Sequence, residues 1–242
     1  MLLFGSCLLK FICSTKYVAC GIERAWHLVV VYNDSWPGVS MLDLLFFTSN
    51  PKKAAWANTL AEVNHVAVTF IQKPLTFSES RDTDVARVAT KKLKEAKLAG
   101  NGKPFIVEDS GFYIDALGGF PATHVNFVMQ TIGIKGILKL LAGLPTGKRG
   151  YTDRSALAFY YLGAEKLFVG ENRGRITRAP RGGDEKGWGN IMRILQPEGY
   201  AKTLAEFTPQ EWAAYTLGPN RSDSFSKSID KLLTFLKNRK QV

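Results

Sequence analysis

Residues 105–121 read FIVEDSGFYIDALGGFP. Phe105-Ile106-Val107 is a short apolar run of strand-forming residues, and it delivers Glu108-Asp109-Ser110-Gly111 to its carboxyl end, where open α/β sheets bind their ligands. Adjacent side chains at a strand end point in different directions. One acid can therefore hold a hard cation or a water while the other serves as a structural hydrogen-bond acceptor. Carboxylates together with phosphate oxygens are the usual environment of Mg²⁺, and Gly111 lets backbone approach a ligand. A bare Asp-Ser-Gly is more often a turn than a site, so the surrounding sequence has to supply the context.

That context alternates strand-like and helix-like segments, as an α/β domain does. Leu44 to Thr48 is an apolar strand, and Lys52 to Val63 has helical spacing with Trp56, Leu60 and Val63 on one face. Val66 to Ile71 reads as a second strand. Asp82 to Leu98 is an amphipathic helix with Val85, Val88 and Leu93 inward and Lys91, Lys92, Lys94 and Lys97 mostly on a solvated basic face. Further on, Ile134 to Leu141 has core spacing for a helix, and Ser155 to Leu162 with Glu165 to Val169 reads as a hairpin around Gly163. Thr208-Pro209-Gln210-Glu211 has the form of a capping box with proline at the first helical position. A last helix, about Ser222 to Lys237, would bury Phe225, Ile229, Leu232, Leu233 and Leu236.

With 242 residues, 45% hydrophobic and 22% charged, the composition is that of a globular chain, which excludes disorder, collagen-like repeats and coiled coil. Apolar runs such as Leu28 to Val31 fall far short of the roughly 20 residues of a membrane-spanning helix. The net charge of +11 draws polyanions to the surface without naming one. Cys7, Cys13 and Cys20 all lie in the first twenty residues, a usage that points to a reducing compartment and a cytoplasmic location. The opening segment lacks a basic residue before its apolar run, and Lys10 interrupts that run, which argues against a secretory signal. Trp36-Pro37-Gly38 is a turn-like break, so residues 1–40 are expected to be an N-terminal extension or an upstream start, and residues 41–242 the functional domain.

Two further segments carry chemistry. Thr48-Ser49-Asn50-Pro51-Lys52-Lys53 lies between a strand and a helix start, where backbone N–H groups and Lys53 can meet an anion; the spacing of a P-loop is absent. Ala179 to Asn190 contains Gly182, Gly183 and Gly187 next to Trp188, an aromatic able to stack on a base. Either segment alone reads as an ordinary loop.

In this order the three segments resemble the inosine triphosphate pyrophosphatase family, enzymes that hydrolyse aberrant purine nucleoside triphosphates to the monophosphate and pyrophosphate. The resemblance runs from about Leu42 to Leu236 on FFTSNPKK, VEDSGFYIDALGGFP, TIGIKGILKLLAG, GRITRAPRG and QPEGYAKTLAEF. It implies an α/β, ITPase/Maf-like (anticodon-binding-like), elongated two-lobed domain around a mixed central β-sheet. It implies that Thr48, Asn50 and Lys53 bind triphosphate, that Lys92 contacts phosphate, and that Glu79 and Asp109 bind Mg²⁺. By the same resemblance Asp109 is the proton acceptor, Ser110 a substrate contact, and Trp188 the residue that stacks on the purine. A homodimer is implied as well.

The base-recognition half departs from the family. Gly189-Asn190 follow Trp188 where the family carries an aspartate. The family's Ser-His-Arg before the last helix corresponds either to Asn220-Arg221-Ser222, which keeps Arg221 as a base contact, or to Asp223-Ser224-Phe225, which keeps no cation. Trp212 and Asn126 stand where the family has basic residues. His27, His65 and His124 are isolated and read as structural. The expected function is Mg²⁺-dependent hydrolysis of a purine nucleoside triphosphate such as ITP, dITP or XTP, with no membrane partner. The alternative is a nucleotide- or RNA-binding descendant of the same fold without turnover, nucleic acid being the less favoured partner. A Maf-type pyrimidine pyrophosphatase fits the motif order poorly.

Overall fold

The computed structural model describes residues 11–12, 15–22, 25–30, 41–183 and 189–239, and the chain divides into two units, Met1–Ser40 and Met41–Val242. In the first unit, β1 (Phe11–Ile12), β2 (Thr15–Ile22) and β3 (Ala25–Val30) form an antiparallel sheet in that order.

The second unit is built on β4 (Leu42–Phe47), whose Leu44, Leu45, Phe46 and Phe47 are all buried. Residues apolar on both faces suit a central strand covered by helices on two sides. Its elements continue with α1 (Pro51–Val63), β5 (Val68–Lys73), α2 (Val85–Gly100), β6 (Phe105–Ile114), β7 (Pro121–Ala122), α3 (Val125–Thr131), α4 (Gly133–Leu140), β8 (Gly150–Tyr161), β9 (Ala164–Ile176), β10 (Leu195–Pro197), α5 (Pro209–Leu217) and α6 (Ser224–Arg239). The sheet order is β10-β9-β8-β6-β4-β5, with β7 paired to β6. β4 is parallel to β5 and β6, while the pairs β6–β8, β8–β9 and β9–β10 are antiparallel. The sheet is therefore mixed, as the resemblance implied.

Most of the expected elements are present, with two corrections. The hairpin around Gly163 is longer than expected and joins strands of 12 and 13 residues. The strand opening at Phe105 does not stop at Val107 but runs to Ile114, because β8 pairs with it along its full length. Its pairing with β4 ends at Phe47↔Val107. Glu108 and Asp109 thus project past the carboxyl end of β4 while remaining inside a strand, which fixes their directions firmly.

One face of the sheet carries α1 and α6, packed through Ala54, Ala57, Leu60, Ile229, Leu232 and Leu233. The small residues of α1 allow close approach; Val63, expected on the same face, is exposed in the helix's last turn. The opposite face carries α2, with Val85, Ala89, Leu93 and Ala96 against Leu45, Phe105 and Val107. A third core gathers α3, α4, α5 and the far ends of β8 and β9 around Ile137, Tyr151, Phe207 and Tyr215. Each large apolar side chain so buried contributes about 1.5–3 kcal/mol.

Candidate active site

The turn after β4 is organised by its own side chains. Thr48 Oγ1 accepts from the Asn50 N–H at 3.1 Å, and Asn50 Oδ1 accepts from the Lys52 N–H at 3.0 Å. Asn50 is thereby the N-cap of α1, with Pro51 at the first helical position, an arrangement that satisfies an otherwise orphaned donor and fixes where the helix starts. One turn in, Lys53 projects toward β6.

Alternation along β6 sends the two acids to opposite faces. Glu108 turns toward α1 and α6 and is buried, and its carboxylate is ion-paired with Lys53. It also accepts from Ser110 and, at 2.8 Å, from the buried Ser155 of β8. Burial pushes the Glu108 carboxyl up, but Lys53, Ser110 and Ser155 outweigh it and hold the group below the usual range. Asp109 turns toward α2, where Lys92 Nζ donates to its Oδ1 at 2.6 Å. Its Oδ2 is buried and has no hydrogen-bond partner. Burial raises the Asp109 carboxyl above its ordinary value, Lys92 only partly opposing it; Glu108 adds to the rise and Lys53 works against it. The two pairs therefore act on one another through the strand.

Gly111 serves a purpose other than the expected approach to a ligand. A Cβ there would lie 2.7 Å from Val85 Cγ1 and 2.9 Å from the Tyr113 ring, so its missing side chain lets the start of α2 close onto β6. The segment leading into α2 is pinned in the same way: Tyr113 donates to Thr83 O, and Thr123 donates to Asp82 O. Upstream, Ser78 is held to Glu95 of α2, with its N–H 3.0 Å from Oε2, and the Phe77 ring lies 5.6 Å from Lys92 Nζ. Glu79 is exposed beside these two residues, on the segment that adjoins Lys92 and hence Asp109.

Thr48, Asn50, Lys53, Lys92, Asp109 and Ser110 are thus placed around the end of β4 and the middle of β6, with Glu79 at the margin. Trp188 lies outside the described residues. Arg221 is engaged elsewhere: its guanidinium is ion-paired with Asp230 and donates to Leu217 O at 2.8 Å, Gly218 O at 3.2 Å and Asn64 Oδ1 at 3.1 Å.

Next to Lys53, the start of α6 brings in Asp223-Ser224-Phe225, the second of the two alignments for the family's Ser-His-Arg, together with Asp153 of β8. The Phe225 ring centroid is 6.0 Å from Lys53 Nζ. Asp223 Oδ2 accepts from the Ser226 N–H and Oγ, both at 2.7 Å, while its buried Oδ1 has no partner. Ser224 donates to Asp153 Oδ2 at 2.7 Å. Burial, reinforced by Asp223, pushes Asp153 up to about 7. Burial likewise takes Asp223 to about 6 against the Ser226 bonds. Gly170 makes this corner possible, since a Cβ there would lie 1.9 Å from Ser224 O. Asp223 three residues before Ser226 is a legible capping signal; the field of one aspartate on the other becomes visible only once β8 and α6 are packed.

The chain is similar in sequence and fold to known proteins. Residues 44–217 fit the model of the Ham1 family. The chain is 35% identical over 196 residues to the dITP/XTP pyrophosphatase of Pyrobaculum aerophilum, covering 79% of this chain and 95% of that one. It is also 35% identical over 168 residues to the enzyme of the same description from Thermococcus kodakarensis, covering 69% and 86%. Among solved structures, a HAM1 protein from Coxiella burnetii superposes with a TM-score of 0.65 over 82% of this chain and all of that one, at 22% identity. The Staphylococcus aureus Ham1 protein gives 0.64 over 81% and 99%, at 18% identity.

Proposed function

Since the chain belongs to the Ham1 family, we propose that it hydrolyses nucleoside triphosphates to the monophosphate and diphosphate, acting on aberrant purine nucleotides such as ITP, dITP and XTP. The observation that carries this reading is the placing of two ion-paired lysines about the end of β4, Lys53–Glu108 on one face of the sheet and Lys92–Asp109 on the other, beside a capped helix start. A triphosphate needs several positive groups in a fixed arrangement, and positioning with electrostatic stabilisation supplies most of the catalysis in phosphoryl transfer.

In this reading Lys53 and the Thr48–Asn50 turn hold the phosphate chain, and Ser110, exposed on β6, contacts substrate. Asp109 accepts a proton from the attacking water; its raised carboxyl suits a base better than an ordinary aspartate would. The water oxygen bonds to the first phosphorus, the bond from that phosphorus to the oxygen bridging it to the second breaks, and diphosphate leaves with the bridging oxygen. Asp109 Oδ2, buried without a partner, fits a cation ligand, and Glu79 would supply the second carboxylate from its exposed segment. A bound Mg²⁺ would neutralise charge on the phosphate oxygens there. Trp188 would stack on the base, and Arg221 as a base contact would have to leave Asp230.

The reading extends to a cytoplasmic homodimer. Thiols confined to the first twenty residues support the compartment. The exposed apolar side chains Phe120, Phe127, Ile132 and Leu140 around α3 and α4 support association, which light scattering would test. Incubating the protein with Mg²⁺ and a panel of triphosphates while detecting pyrophosphate tests the activity; no release from any of them overturns it. The start of α6 favours one second reading. Phe225 beside Lys53, with no free cation from Arg221, suits a descendant that binds a nucleotide or RNA without turnover. Tight triphosphate binding with no pyrophosphate release would identify it, and steep salt dependence would mark the RNA form.

A further inference from the structure

α2 carries a lysine where a core residue belongs. Val85, Val88, Ala89, Leu93 and Ala96 are buried along one stripe, and position 92, three and four residues after Ala89 and Val88 and four before Ala96, falls on it. Lys91 and Lys94 are exposed, whereas only 24% of the Lys92 side chain is. A lysine turned inward gives up solvation of its charge and needs a compensating partner. Here that partner is Asp109, with Lys92 Nζ 2.6 Å from Oδ1 and the Phe77 ring on its other side. The same carboxylate keeps its second oxygen buried and unpartnered.

We propose that Lys92 is a displaceable counter-cation of Asp109, competing with the divalent ion for that carboxylate, so that the free protein binds the ion weakly and takes it up together with the phosphate chain onto which Lys92 transfers. This rests on the pyrophosphatase reading and adds an order of binding to it. An ammonium on one oxygen of a carboxylate repels a dication approaching the other across a poorly screened site. Phosphate oxygens resolve the conflict, since they offer the lysine another acceptor and the ion further oxygen ligands. Lys53 differs in staying paired with Glu108, which also accepts from two serines, and would meet the phosphate chain from that fixed position.

The test is Mn²⁺ binding to the full chain without nucleotide, followed by the paramagnetic signal of the free ion. Lys92→Met should bind Mn²⁺ about tenfold or more tightly than the parent, as removal of one adjacent unit charge implies. Lys92→Arg should stay at the parent level, and Asp109→Asn added to Lys92→Met should remove the gain. A residue with a merely structural role would loosen the site and weaken binding when replaced. Unchanged or weaker Mn²⁺ binding by Lys92→Met therefore overturns the proposal, and Lys92→Gln checks the same outcome should the methionine variant fold poorly. Failure of the pyrophosphatase reading appears separately, as absence of pyrophosphate release by the parent protein.

Discussion

Glu108 and Asp109 are neighbours in sequence that neutralise lysines on opposite faces of one sheet, Lys53 from α1 and Lys92 from α2. The division follows from strand alternation at the point where β4 has ended and β6 continues against β8. Its consequence is two acids with unlike environments. One is held ionised by three partners, and the other is raised by burial with one oxygen free. Environments that push two titrating groups apart are how one site acquires distinct structural and chemical roles.

Asp109→Asn should separate activity from stability. Loss of the proton acceptor should lower kcat by about 100-fold or more. The melting temperature should fall only modestly, because relief of a carboxylate whose charge is disfavoured by burial is set against the loss of the counter-charge of Lys92. Pyrophosphate release and calorimetry on the same preparations check this. A variant with parental turnover would remove Asp109 from the chemistry.

Glu108→Gln should act the other way. The amide can still meet Ser110 and Ser155, but it leaves Lys53 without its counter-charge in a largely enclosed setting. Breaking a buried pair from one side costs about 3–5 kcal/mol, and the partial exposure of Lys53 places the expectation at about 2–3 kcal/mol, read by chemical denaturation. Because Lys53 would no longer be held in place, KM for the triphosphate should rise more than kcat falls.

The asymmetry between these acids was partly legible. Alternation predicts that one of two adjacent acids is structural, whereas the expected strand end at Val107 is not one, since β6 continues to Ile114. Which acid is structural follows from the resemblance alone and not from the spacing, since Ser155 lies 47 residues away and only the β6–β8 register brings it to Glu108. Spacing alone leaves Lys92 among the solvated lysines 91 and 94, and only the resemblance sets it apart; packing of α2 against β6 turns it inward. Arg221 stands next to the expected helix start, and its pairing with Asp230 becomes visible only once α6 is packed against α1 and α5.

Asp153 and Asp223 should give stability an unusual dependence on pH. Both carboxyls are raised in the folded state, to about 7 and about 6, from 3.8 in the unfolded chain. The folded protein therefore holds protons that the unfolded chain has released. Their contribution is most favourable below about pH 4, erodes as pH rises, and is lost by about pH 7, at no more than about 1.4 kcal/mol per pH unit for each proton. Denaturation midpoints from pH 4 to 8 should show a falling component that Asp153→Asn removes, leaving the variant the more stable protein at pH 8. A flat difference between the two proteins across that range would contradict the assignment.

Arg221→Ala distinguishes a base-reading arginine from a structural one. Its guanidinium meets Asp230, Asn64 and the carbonyls of Leu217 and Gly218, at the junction of α5, α6 and the end of α1. Removing it leaves carbonyl acceptors and a partly enclosed aspartate without their donor, which should cost about 2–3 kcal/mol. A residue confined to that junction does not discriminate between bases, so the ratios of kcat/KM among ITP, XTP and GTP should keep the parental order and spacing. Hydrogen bonds to a base edge discriminate far more steeply when lost. A shift of tenfold or more in any of those ratios, with little change in melting temperature, would place Arg221 at the base and require that it part from Asp230 when substrate binds.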